Sequence, residues 1–175
     1  MIRIFATLAL LATSTLLATG LAAAQWKASE SDRQAFIQAL LKNDKAKLAE
    51  LSEAGNAFAR FQSASQTVSG EPPDTLSDAG RDVAAASEAG VPEARFWVGT
   101  AHYNGTHGYA RDREKGVAIM EEAGDLSMTD AYFRAARIGE FVFGEKDDRT
   151  ISLYRKAAKA GIRPATRRLE QLGVE

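Results

Sequence analysis

The chain has 175 residues, 45% of them hydrophobic and 26% charged, which fits one globular domain with a small extension. Its 22 basic and 23 acidic residues leave a net charge of -1, without the basic excess of a nucleic-acid-binding surface. With no cysteine, disulfides, thiolate metal sites, cysteine nucleophiles and a lipidated cysteine anchor are all excluded.

Residues 1–24 read as a secretory signal peptide. Arg3 gives a positive start, Ile4 to Leu17 an apolar stretch, and Ala22-Ala23-Ala24 the small residues a signal peptidase needs. The uncharged run from Ile4 to Trp26 is also long enough for a retained anchor, but Thr, Ser and Gly20 dilute it. Cleavage would start the chain near Gln25 and deliver it to the periplasm or beyond, with no stable membrane insertion.

Residues 25–61 then predict a helical hairpin. Ser29 and Asp32 form a capping box, and Phe36, Ile37, Leu40 and Leu41 make an apolar stripe. Asn43-Asp44 breaks it; Leu48 and Leu51 carry a second short helix ended by Gly55. Phe58 and Phe61 are spaced to share a face in a further turn. Residues 62–77, rich in Ser, Thr and Gln with Gly70 and Pro72-Pro73, read as a loop.

Residues 78–175 are helical again. A helix stops at Gly90, the next opens at Pro92, and Asn104-Gly105 ends it. Asp112 caps a helix read as stopping at Gly124; Ala131 to Phe143, Arg149 to Ala160 and a helix opened by Pro164 follow. No segment alternates like a strand, so about eight helices and an all-α fold are expected.

Two phrases repeat. Gly90-Val91-Pro92-Glu93-Ala94 returns 71 residues later as Gly161-Ile162-Arg163-Pro164-Ala165, and Ala85 to Gly90 matches Lys156 to Gly161 at the same distance. Arg113 to Gly124 lines up with Asp147 to Ala158 at a shift of 34. Two units of roughly 35 residues, each with two helices, mark an α-solenoid. Ala94, Gly99, Ala123, Ala131, Ala135 and Ala157 are the short side chains that close helix crossings need.

Ala94, Val98, Gly99, Tyr103, Gly105, Gly108, Asp112 and Lys115, in this order, with Tyr154-Arg155-Lys156-Ala157-Ala158-Lys159-Ala160-Gly161, resemble the Sel1-like repeat, a relative of the tetratricopeptide repeat. The resemblance covers residues 79 to 171. It departs at His102, where the family has tyrosine, at Gly116, where it has alanine, and at Ala135-Ala136 and Gly144 to Asp147 in the second unit. The resemblance implies a short right-handed solenoid of helical hairpins, with the N-terminal hairpin as its cap. It also implies a non-enzymatic adaptor that binds a protein or peptide partner in the envelope or secreted space.

Candidate chemistry is sparse. His102 and His107 straddle a helix end and a loop, and a metal site would need further ligands such as Asp112 or Glu93. Glu121-Glu122, Asp147-Asp148 and Glu88 with Glu93 read as solvated acids rather than a catalytic pair. No G-x-S-x-G elbow or phosphate loop occurs, so neither an enzyme nor a cofactor is expected. Aromatics with arginine are common interface anchors, and the first helix of each unit lines the groove in helical-repeat families. Arg95, Trp97, His102, Arg134 and Arg137 are therefore the candidate partner-binding residues. Two sharper versions are an immunity protein against a toxic effector and a regulator of an envelope enzyme or sensor. The rival of another class is a cell-wall or glycan protein.

Overall fold

The structure, a computed structural model, describes residues 28–68 and 76–174. The signal-peptide reading of residues 1–24 and residues 69–75 of the expected loop lie outside them. The described residues form nine helices and no strand. They are α1 (Glu30–Leu41), α2 (Lys45–Glu53), α3 (Ala57–Val68), α4 (Asp78–Glu88), α5 (Pro92–Asn104), α6 (Arg113–Asp125), α7 (Asp130–Val142), α8 (Asp148–Lys159) and α9 (Arg163–Leu172). From α3 onward each helix packs chiefly on its chain neighbours, as expected for an all-α Sel1/tetratricopeptide-like solenoid.

Local chemistry sets the helix ends. Ser29 and Asp32 form the reciprocal capping box that starts α1. Asp44, Ser77, Asp112 and Asp147 each accept a backbone N–H at the start of α2, α4, α6 and α8. Gly90 and Gly161, the repeat-equivalent glycines, take φ of +96° and +85° and let the chain reverse.

Three expectations need correction. Residues 62–68 are helix, not loop: Ala57, Phe61, Ala64 and Val68 recur every three or four residues and pack inward. Their polar neighbours Ser63, Gln66 and Thr67 simply face solvent. This full α3 also makes the N-terminal part three helices rather than a hairpin; the described residues hold nine helices where about eight were expected. Gly124 does not stop α6; it is a buried helical residue with the Tyr132 ring where a Cβ would stand. The left-handed residue beyond α6 is Ser127, at φ +96°.

The core forms two apolar clusters. One joins Phe58, Ala64 and Val68 of α3 to Val83 and Ala86 of α4 and Ala94 of α5, with Trp97 against it. The other joins Val117 and Met120 of α6, Ala135 and Ala136 of α7, Ile151, Leu153 and Tyr154 of α8, and Leu169 of α9. All six small residues expected at crossings are buried. The closest crossing is α5 on α6. A Cβ on Gly116 would lie 2.7 Å from the Gly99 carbonyl oxygen, and one on Gly99 would lie 2.8 Å from the Gly116 oxygen.

Candidate functional site

Ala94, Ala131 and Ala165, all fully buried, mark equivalent points on α5, α7 and α9. Counting two residues on gives Phe96, Phe133 and Arg167. Three on gives Trp97, Arg134 and Arg168, and six on gives Thr100, Arg137 and Gln171. Stacking brings such positions side by side, and the contacts follow this ladder. The Arg134 guanidinium sits 5.4 Å from the centre of the Phe96 ring and pairs with Asp130 at 2.9 Å. Phe133 and Arg137 of α7 face Pro164, Arg167, Arg168 and Gln171 of α9 across a groove of about 210 Å³.

One carboxylate fixes that groove. Glu140, whose side chain is 9% exposed, accepts hydrogen bonds from the Tyr154 hydroxyl and Arg168 Nε, both at 2.7 Å. Arg168 also reaches Glu145 at 2.9 Å, and Arg137 approaches Glu140 at 3.6 Å. Burial alone would raise the Glu140 pKa. The bonds from Tyr154 and Arg168, with the Arg168 and Arg137 charges, outweigh it and hold the carboxyl below its usual range. Burial and this same carboxylate push the Tyr154 phenol up.

The five candidate residues do not converge. Arg134 and Arg137 share the exposed face of α7. Arg95 turns the other way: it donates to the Ser87 carbonyl at 3.2 Å and pairs with Glu122 at 3.5 Å, clasping α4, α5 and α6. Trp97 packs on the α3–α4 cluster, with its ring centre 4.8 Å from that of His107. His102 lies against Tyr109 at 4.6 Å, and burial followed by the Lys115 charge lowers its pKa. Sequence reasoning missed Arg167 and Arg168. Carrying the alanine register through to α9 is the signal that finds them.

The acid pairs are mostly tied to cations. Glu121 pairs with Lys156, Glu122 with Arg95, and Asp147 with Arg149. Among the described residues no three His, Asp or Glu side chains gather to hold a metal, and no helix is long and apolar enough to cross a membrane. A second cleft of about 510 Å³ lies between α6 and α8, where Arg149 stacks 3.6 Å above Phe143. Nearby, Phe141 is 77% exposed.

No family model and no curated protein matches the chain. Among solved structures it is similar to a Sel1 repeat protein from Oxalobacter formigenes. The identity is 25% and the TM-score 0.55, over 73% of this chain and 98% of that one. With its repeat phrases, its paired helices and this structural match, the chain has the fold of a Sel1 repeat protein, which supports a helical-repeat interaction module.

Proposed function

We propose that the chain is an exported, non-catalytic adaptor that binds a protein or peptide partner on the face built by α5, α7 and α9. The ladder on that face carries the reading. Phe96 and Phe133 supply apolar surface, and Arg134, Arg137 and Arg167 supply exposed guanidinium groups beside it. Aromatic and arginine side chains provide much of the binding free energy at protein interfaces. A rigid stack presents them with little ordering to be done on binding. Arg3, the apolar run after it and Ala22-Ala23-Ala24 support export to the periplasm.

The test is to fix the full chain to a resin and expose it to envelope and secreted fractions of its source cells. A stoichiometric protein complex that Arg134→Glu weakens is the expected result. Retention on purified cell-wall glycan with no protein partner would overturn it.

A further inference from the structure

We infer that the groove between α7 and α9 takes an acidic peptide segment of the partner, with its carboxylates on Arg137 and Arg167. This deepens the proposed adaptor reading and rests on it. The argument starts from the local charge balance. Arg137, Arg167 and Arg168 face the groove, and the acids among them are Glu140 and Glu145. Arg168 is committed to both acids, at 2.7 and 2.9 Å. Glu140 already accepts from Arg168 and Tyr154, so Arg137 shares it only at 3.6 Å. Arg167 has no ion pair among the described residues and is exposed. The neighbouring Arg134 is balanced by Asp130. The groove therefore carries a net positive charge in a chain whose total is -1.

Two cations elsewhere on the surface are each matched by two acids. Arg149 meets Glu114 and Asp147, and Lys156 meets Glu121 and Asp125. The groove differs from these two in setting three arginines against two acids. A guanidinium presents a planar fork that fits a carboxylate with two parallel hydrogen bonds. Phe133 and Pro164 add apolar walls, which suit the stem of a glutamate or a small apolar neighbour. A volume of about 210 Å³ holds one or two side chains, so the fitting ligand is an extended segment and not a folded surface.

The experiment titrates the full chain into a fluorescein-labelled decapeptide of alternating glutamate and alanine, read by anisotropy. A glutamine–alanine decapeptide and a ten-nucleotide oligothymidylate serve as controls. The acidic peptide binds alone, and added salt weakens it. Arg137→Gln with Arg167→Gln weakens it about tenfold or more. Lys42→Gln with Lys45→Gln, which removes two charges just past the end of α1 and at the start of α2, changes it less than twofold. Circular dichroism confirms that both double variants fold; if the arginine pair does not, side-chain Nε resonance shifts of the unmodified chain on peptide addition give the same answer. Absence of binding, equal binding of the glutamine peptide or the oligonucleotide, or equal loss in the lysine pair overturns the inference. A captured protein partner that the arginine double variant still holds overturns the acidic groove and leaves the adaptor standing. Failure to capture any protein partner ends both.

Discussion

Gly116→Ala tests the closest helix crossing. In an exposed helix this change stabilises by about 1 kcal/mol, because alanine is the better helix former. Here the new methyl would lie 2.7 Å from both the Gly99 oxygen and the Tyr103 nitrogen, and 2.8 Å from Tyr103 Cβ. Two of those atoms are backbone and cannot rotate away. Ordinary contact begins near 3.4 Å, so α5 and α6 must part by roughly 0.7 Å along a crossing that also seats Met120. Overpacking of this kind costs about 1–3 kcal/mol, and parting the helices loosens Met120 and Val117 as well. Against the propensity gain, a net loss of about 1 kcal/mol and at most about 2 is expected. At about 3–4 °C per kcal/mol for this size, Tm falls by about 3–8 °C. Thermal unfolding followed at 222 nm, with urea midpoints as a second measure, reads it. Gly80→Ala is the control, since its new methyl would meet only the side chains of Leu76, at 3.0 Å, and Ser77, at 3.4 Å, and its Tm moves by less than about 3 °C. An equal or higher Tm for Gly116→Ala would refute the backbone-on-backbone contact.

Three further changes test other parts. Asn56 is buried; its amide donates to the Asp32 carbonyl at 2.8 Å and its oxygen accepts the Phe58 and Ala59 N–H groups at 3.1 Å. Asn56→Ala therefore costs about 2–3 kcal/mol and raises amide exchange in α1 first, whereas uniform exchange would contradict that anchoring. The Thr150 hydroxyl is buried without a partner, so Thr150→Val leaves the urea midpoint level or up to about 1 kcal/mol higher, and a clear fall would point to a hidden bond. Tyr154→Phe removes a donor to Glu140 and costs about 1–2 kcal/mol at neutral pH. Glu140 has its pKa depressed by folding, so its contribution is present above the ordinary carboxylate range and is lost as pH falls through the lower folded value. The gap between the unmodified chain and Tyr154→Phe should thus narrow in urea melts on the acid side. A gap independent of pH would rule out the Glu140 coupling.

The repeat was readable in the sequence because its signals are local and stereochemical. Gly90, Pro92, Asp112 and Gly161 each act on their own backbone, and the buried alanines recur because helices touch there. Residues 62–68 were misread because composition hid a sound period. Ala64 and Val68 continue the stripe of Ala57 and Phe61 through serine and glutamine that merely face water. Gly124 looked like a stop because glycine serves two ends, chain reversal and close approach, and only the Tyr132 ring shows which applies. Gly116, a departure from the family's alanine, has its reason in Gly99 across the crossing, a contact between two helices. The candidate site was half legible. Helix identity placed Arg134 and Arg137 on one exposed face. The long stem of Arg95 carried its charge toward α4 and α6 instead, where Ser87 and Glu122 were waiting.

The division of the core into two clusters gives α5 a particular place. Ala94 and Trp97 belong to the cluster of α3 and α4, while Phe96 and Tyr103 pack against that of α6 to α9. Neighbouring residues of one helix thus close two separate apolar compartments. Melting α5 would leave both compartments open to water, so the halves lend one another stability chiefly through this helix. By contrast α2 buries no residue, and α1 buries only Ala39. Pulled or heated, the array should therefore peel from its N-terminal end while the α7–α9 groove keeps its shape. The proposed binding face is set at the end of the stack expected to let go last.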